Sequence, residues 1–263
     1  MDFYWIGLVL VSALLHPLRD LILKGTAQPM LSYAGVSVVW VVLAGFHAIT
    51  TGQDLSLQKE IWPFVATSVL GLSLYYYGTL SALRRGNLSV YYPIIRSSPI
   101  AIVVFSWLAM DRSYSWLTIA GIFTVLLGSF MIQKTPGSVL EDQKAFGLAI
   151  IAMLGSAAYS ISDAGAMQFT TPAVYLFYTN ISVTVLLLGI QRWESRLNTL
   201  SFGEVAQQWM RVPWRIMLAG VSSYLSYFFI LRAFQLGAEA AAVSAVRQAS
   251  IPVSILLAAI ILL

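Results

Sequence analysis

Apolar segments of about 20 residues recur along this chain, and that recurrence constrains the fold more than any other feature. One such segment suffices for a helix to cross a hydrocarbon core of roughly 30 Å. The sequence predicts nine of them, at 3–24, 30–50, 61–83, 88–110, 115–133, 145–167, 172–191, 214–235 and 239–262. With no water at that depth, helices that satisfy their own backbone groups are the expected solution. No ten-residue alternating pattern suggests a barrel. Composition agrees: the 263 residues are 59% hydrophobic and 10% charged, against about 25% charged in ordinary soluble domains. A soluble fold of this length could not hide so much apolar surface. The expected class is an all-α polytopic membrane protein. The first apolar segment lacks a basic start and a small-residue cleavage site, so it reads as a retained helix.

Several function classes fall away. The absence of cysteine excludes disulfides, thiolate metal sites and cysteine nucleophiles. The net charge of +4 is scattered between apolar segments, which is no nucleic-acid footprint. Neither a phosphate-binding glycine loop, an HExxH pair nor a serine elbow is present, so the chain is not expected to be an enzyme or to hold a cofactor or metal. Of the fifteen Lys and Arg, nine fall on one face (Lys24, Arg84, Arg85, Lys134, Lys144, Arg192, Arg196, Arg211, Arg215) and two on the other (Lys59, Arg112). That asymmetry places the first inter-helix loop in the cytoplasm and the N-terminus outside. Arg19, Arg96, Arg232 and Arg247 lie within the apolar segments.

The sequence nearly repeats itself. "YYYGTLSALRRG" (75–86) lies over "SYFFILRAFQLG" (226–237), and in the same register Arg96 falls on Arg247. At a slightly shorter offset "SALLHPLRD" (12–20) lies over "GSAAYSISD" (155–163), so that Asp20 meets Asp163, and "YAGVSV" (33–38) matches "YTNISV" (178–183). The chain therefore reads as two five-helix units, 1–135 and 144–263, the second without its last member. Five is odd, so the second unit enters the membrane from the opposite side. Inverted 5+5 repeats of this kind build transporters whose site lies at the midplane between the halves.

The stretch "GNLSVYYPIIRSSPIAIVVFSWLAMDRSYSWLTIAGIFTVLLGSFMI" (86–132) resembles the drug/metabolite transporter superfamily, EamA branch. Its glycine opens the fourth helix, a mid-helix proline follows, a charged residue closes the helix and a glycine-spaced fifth helix comes next. "LLHPLRDLILKG" (14–25) also looks like the first helix of one bacterial EamA subgroup, some members of which are associated with phosphonate use. The resemblance implies ten helices and small-solute transport in the cell (inner) membrane, with both termini cytoplasmic, opposite to the charge count. Where the family pattern carries glutamate after the fourth helix, this chain has Asp111.

An arginine at the bilayer centre costs roughly 2.5–3.5 kcal/mol on insertion scales, so Arg96 and Arg247 need a reason. Paired across the repeat, they could form a fork-like site for phosphate, phosphonate or carboxylate; alternatively each pairs with Asp20 or Asp163 and only staples the halves. Pro93, Pro99 and Pro252 free backbone carbonyls beside them, and such groups are tolerated where they face protein, water or a ligand. Ser12, His16, Asp20 and Lys24 recur every four residues on the first helix. Asp20 and Lys24 stand in ion-pair order, and Asp20 or Asp163 is a candidate proton site with His16 as relay. Tyr92, Tyr76 and Tyr227 could shape a pocket, Asn180 could reach a ligand or cross-link helices, and Gln248 adjoins Arg247. Ala120, Thr124 and Gly128 read as a close-packing stripe.

The substrate-binding set is thus Arg96, Arg247, Asp163, Asp20, His16, Tyr92, Tyr76, Tyr227, Asn180 and Gln248. The expected function is secondary transport, by alternating access, of a small organic solute bearing an anionic group: a metabolite, an amino acid or a phosphonate-like compound. Its partners would be that solute and membrane lipid, with no nucleic acid, and a homodimer is left open. The alternatives are a flippase component for a lipid-linked substrate and a non-transport membrane scaffold or sensor.

Overall fold

The computed structural model describes residues 4–26, 28–85, 88–132, 142–194 and 202–262. The helices are α1 (Tyr4–Leu23), α2 (Pro29–Thr50), α3 (Trp62–Arg85), α4 (Leu88–Arg96), α5 (Ser98–Met110), α6 (Trp116–Ile132), α7 (Gln143–Ala166), α8 (Pro172–Glu194), α9 (Phe202–Arg211), α10 (Pro213–Gln235), α11 (Ala240–Val246) and α12 (Ser250–Leu262). No strand occurs among the described residues. The fourth predicted span is α4 with α5, and the ninth is α11 with α12, so all nine spans are found as helix.

Six of the spans are long and apolar enough to cross a membrane on those grounds alone. The other three fall short for separate reasons. The α3 helix is diluted by Ser68 and Ser73, which are buried against other helices, by three tyrosines and by two exposed arginines at its end. The α6 helix has 17 residues, and the ninth span is interrupted. Between the spans at 172–191 and 214–235 the sequence predicts a loop, but part of it folds as α9. That helix places Glu204, Gln207 and Arg211 apart from Trp209, whose indole N–H donates to the Leu31 carbonyl at 2.8 Å.

Packing follows the repeat. The most extensive contacts join α3 to α7 and α1 to α10, which exchange when the halves are exchanged; the next, α2 against α8, maps onto itself. The contact of α2 with α10 is mirrored by α3 with α8, and that of α7 with the fourth span by α1 with the ninth. The two main crossings are chemically different at equivalent points. In the register that sets Asp20 on Asp163, Ser12 corresponds to Gly155; in the register that sets Arg96 on Arg247, Ser226 corresponds to Tyr75. Ser226 donates its hydroxyl to the Ser12 carbonyl at 2.9 Å, and the two side-chain oxygens stand 2.8 Å apart. At the other crossing the backbones themselves meet: a Cβ on Gly155 would stand 2.5 Å from the Gly71 carbonyl oxygen and 2.8 Å from the Tyr75 nitrogen.

The small-residue stripe on α6 does not make such a contact. Thr124 is exposed, and a Cβ on Gly128 would meet nothing within 4 Å. Instead α6 buries the bulkier Ile122 and Leu126.

Both broken spans break at matching places. Between α4 and α5 the Ser97 amide bonds Ile94 and the Ile100 amide bonds Ser97, each one residue short of helical spacing, on either side of Pro99, which has no N–H to give. Two carbonyls are thereby released. The Ser97 hydroxyl caps Pro93 at 2.8 Å, and Gln248 Nε2 reaches across from the other half to cap Arg96 at 3.1 Å. In the ninth span the interruption is a 3₁₀ turn at Arg247–Ala249. Asp111, at the resemblance's charged position, closes α5 in a left-handed conformation, φ 51°.

The charge count makes a testable statement about orientation. Because the chain has no cysteine, Lys59→Cys and Gln143→Cys each introduce a single thiol at exposed positions. In intact cells a membrane-impermeant maleimide should label the first and spare the second. The reverse pattern would place the basic face outside.

Candidate functional site

The two breaks face one cavity. It is a small cavity of about 20 Å³, lined among others by Tyr75, Arg96, Tyr159, Tyr227, Arg247 and Gln248. The lining draws on the third, fourth, sixth, eighth and ninth spans. The first span contributes through His16, whose Nδ1 lies 3.3 Å from an Arg247 nitrogen.

The cavity arginines are held by neutral groups. Arg96, 8% exposed, donates from Nη2 to the Tyr92 hydroxyl and lies 4.9 Å from the centre of that ring. Arg247 donates from Nη1 to the Tyr159 hydroxyl at 3.3 Å and lies 5.6 Å from the Tyr227 ring centre. Cation–π contact of this kind recovers about 0.5–2 kcal/mol, well below the cost of an unpaired buried charge. Neither arginine has a carboxylate within 4 Å among the described residues, so neither staples the halves through Asp20 or Asp163. Their Nε–H groups, His16 Nε2 and Gln248 Oε1 have no hydrogen-bond partner among the described residues.

The two intramembrane acids occupy unlike settings. Asp20 is engaged by its chain neighbour: Arg19 Nε donates to Oδ1 at 2.9 Å, and the Tyr33 hydroxyl does the same at 2.9 Å. The expected Asp20–Lys24 pair does not form. The α1 helix ends at Leu23 and Gly25 turns the chain with φ 78°, so Lys24 never completes the helical i, i+4 geometry. At the place matching Arg19 the second half has Ser162. Asp163, 1% exposed, is held by three hydroxyls: Ser68 at 2.5 Å and Tyr175 at 2.7 Å on Oδ1, and Tyr227 on Oδ2.

The remaining candidates sort by location. Three consecutive tyrosines, about 100° apart on a helix, serve three places. Tyr75 lines the cavity. Tyr76 accepts from Arg19 at 3.5 Å and lies tilted against Tyr33, ring centres 5.2 Å apart. Tyr77 lines a separate groove. Asn180 does not line the cavity. Its Oδ1 accepts from Ser37 at 2.9 Å and its Nδ2 donates to the Leu176 carbonyl at 3.0 Å, so it cross-links α2 and α8.

Arg19, Tyr159, Ser68 and Tyr175 were not singled out in the sequence. For Tyr159 a signal existed: the register that sets Asp20 on Asp163 sets His16 on Tyr159, and these two matched residues grip Arg247 from either side. Ser68 and Tyr175 carried none, since they meet Asp163 only in three dimensions.

The sequence profile of the EamA-like transporter family matches residues 2–133. A solved crystal structure of another protein superposes with a TM-score of 0.79 at 16% identity, covering 99% of this chain and 88% of that one; at that identity the likeness concerns the fold alone. None of the curated proteins matches the chain.

Proposed function

This chain belongs to the EamA-like transporter family, multi-pass membrane transporters of small solutes, and from that premise we propose that it carries a small organic anion across the inner membrane by alternating access. The observation that supports this reading is the pair of cavity arginines at matched helix breaks, each without a carboxylate and each with an unused Nε–H. An anion bound between them would supply the compensation that the protein withholds, through charge-assisted and bidentate hydrogen bonds. Discontinuous helices at a repeat interface are the common setting for such sites.

Charge bookkeeping narrows the substrate. The cations gathered here are Arg19 and Arg96, both buried, and the half-buried Arg247; the acids are the buried Asp163 and the half-buried Asp20. Arg19 and Asp20 cancel, leaving two guanidiniums against Asp163. A carboxylate or other monoanion neutralises that remainder. A dianion such as a phosphonate does so when Asp163 carries a proton, which would make Asp163 the coupling acid. Tyr227 connects the two places, with its hydroxyl on Asp163 and its ring beneath Arg247. The cavity is too narrow for an organic solute as it stands, so loading requires the halves to part, with the breaks as hinges.

Ligand-induced thermal stabilisation tests the reading, with wild type beside Arg96→Gln and Arg247→Gln. Phosphonates, phosphate esters and carboxylates should raise the unfolding temperature of the wild type, and both folded variants should lose the response. Stabilisation by cationic drugs instead, or two variants that unfold while no anion acts on wild type, would overturn it.

A further inference from the structure

A second polar place lies outside the bundle core, where α3 and α7 present a groove to the membrane. The two helices meet backbone to backbone at Gly78, where a Cβ would stand 2.6 Å from the Leu148 carbonyl oxygen. Beside this contact lies an open groove lined by Tyr77, Ser81, Arg84, Arg85, Lys144, Gly147, Leu148 and Ile151. A Cβ on Gly147 would meet nothing within 4 Å, so that glycine leaves open space.

Polarity along the groove is graded. On α3, Leu70, Leu74, Tyr77, Ser81 and Arg84 follow at three- and four-residue steps and so share one face; on α7, Lys144, Gly147, Ile151 and Leu154 do the same. At one end stand three basic side chains, all exposed. One turn deeper comes the Ser81 hydroxyl, and two turns deeper Tyr77. Deeper still the surface is apolar, with Leu70, Leu74 and Leu154 exposed by 60%, 46% and 53%, while Ile151, level with Tyr77, is exposed by 39%. Charge, hydroxyl and hydrocarbon in that order are the order of a phospholipid standing in one leaflet. The nearby carboxylate of Asp142 is turned to its own helix, accepting from the Lys144 and Ala145 amides at 2.9 and 3.1 Å. The basic end also belongs to the face that collects nine of the chain's Lys and Arg, where anionic lipid is expected.

We infer that this groove is a binding site for an anionic phospholipid: Arg84, Arg85 and Lys144 hold the phosphate, Tyr77 and Ser81 meet the glycerol region, and an acyl chain lies along Gly147 and Ile151. The site is separate from the cavity arginines and stands or falls independently of the transported substrate.

The test is native mass spectrometry of the purified full chain in detergent, titrated with phosphatidylglycerol, phosphatidylcholine of the same acyl chains, and glycerol 3-phosphate. Two variants accompany it: the triple change Arg84→Gln, Arg85→Gln, Lys144→Gln, and Gly147→Leu, which fills the groove without touching a charge. A basic residue near an anionic headgroup contributes about fivefold in affinity, so the triple variant should bind phosphatidylglycerol on the order of a hundredfold more weakly. Gly147→Leu should lose binding while its unfolding temperature holds. Wild type should prefer phosphatidylglycerol to phosphatidylcholine and ignore glycerol 3-phosphate at equal concentration. Equal retention of the two lipids, undiminished binding by both variants, or glycerol 3-phosphate binding as well as the lipid would overturn the assignment. Should the triple variant fail to fold, Gly147→Leu alone decides.

Discussion

Asp163→Leu should leave the bundle without a stable fold, whereas Asp163→Asn should fold and fail to transport. Three hydroxyls from α3, α8 and α10 converge on this one carboxylate. Leucine accepts none of them. Each lost bond costs between about 0.6 kcal/mol, the mean for hydrogen bonds between membrane helices, and about 3 kcal/mol where a buried donor is left bare. Three together come to roughly several kcal/mol, a large share of the 5–15 kcal/mol typical of a folded domain. Asparagine keeps Oδ1 for Ser68 and Tyr175, and its amide nitrogen can donate to the Tyr227 oxygen, so the crossing survives. What asparagine cannot do is hold a negative charge or exchange a proton. Thermal unfolding checks the first half of this prediction, and counterflow uptake in proteoliposomes, with whichever anion stabilises wild type, checks the second. A leucine variant as stable as wild type, or an asparagine variant with full uptake, would contradict the role given to this acid.

The second large effect lies at the α3–α7 crossing. Gly155→Ala should destabilise strongly, because the new Cβ would stand 2.5 Å from one backbone atom and 2.8 Å from another, and backbone cannot rotate aside as a side chain can. Overpacking costs about 1–3 kcal/mol, occasionally more; here the most extensive helix contact of the fold must open. Gly78→Ala should behave alike. Gly128→Ala is the control: its Cβ would meet nothing within 4 Å, and a mid-helix glycine gains roughly 0.5–1 kcal/mol on becoming alanine. Unfolding temperatures should therefore fall for the first two and hold or rise for the third. Equal behaviour of all three would mean that α3 and α7 do not meet backbone to backbone.

The spans were legible in the sequence because bilayer thickness leaves a plain length and polarity mark. Even α3, too polar to qualify on hydropathy, was found between its neighbours. The α9 helix was missed because its mixed surface of Glu204, Gln207, Gln208 and Arg211 with Trp209 reads as loop when only apolar runs are sought. The repeat register pairs Arg96 with Arg247, and the structure sets both on one cavity. It also made Asp20 and Asp163 look equivalent. Their difference lies in which partners arrive: Arg19 folds back on Asp20 along its own helix, although adjacent residues seldom face one another, while Ser68, Tyr175 and Tyr227 reach Asp163 from three other helices. Asn180 shows the same limit. Its sequence position suited a ligand or a cross-link, and the hydroxyl of Ser37, 143 positions earlier, occupies it.

The central claim is that the cavity arginines take an anion, and calorimetric titration of the strongest stabilising anion tests it most directly. Wild type should bind with measurable heat. A hydrogen bond to a charged group contributes about 1.5–3 kcal/mol, so Arg247→Gln, with its fold intact, should weaken binding between about tenfold and a hundredfold. Arg247→Lys should lose less, since it keeps the charge and gives up only the fork. Unchanged affinity in a folded Arg247→Gln protein would mean that the anion binds elsewhere, and that the two arginines serve the architecture alone.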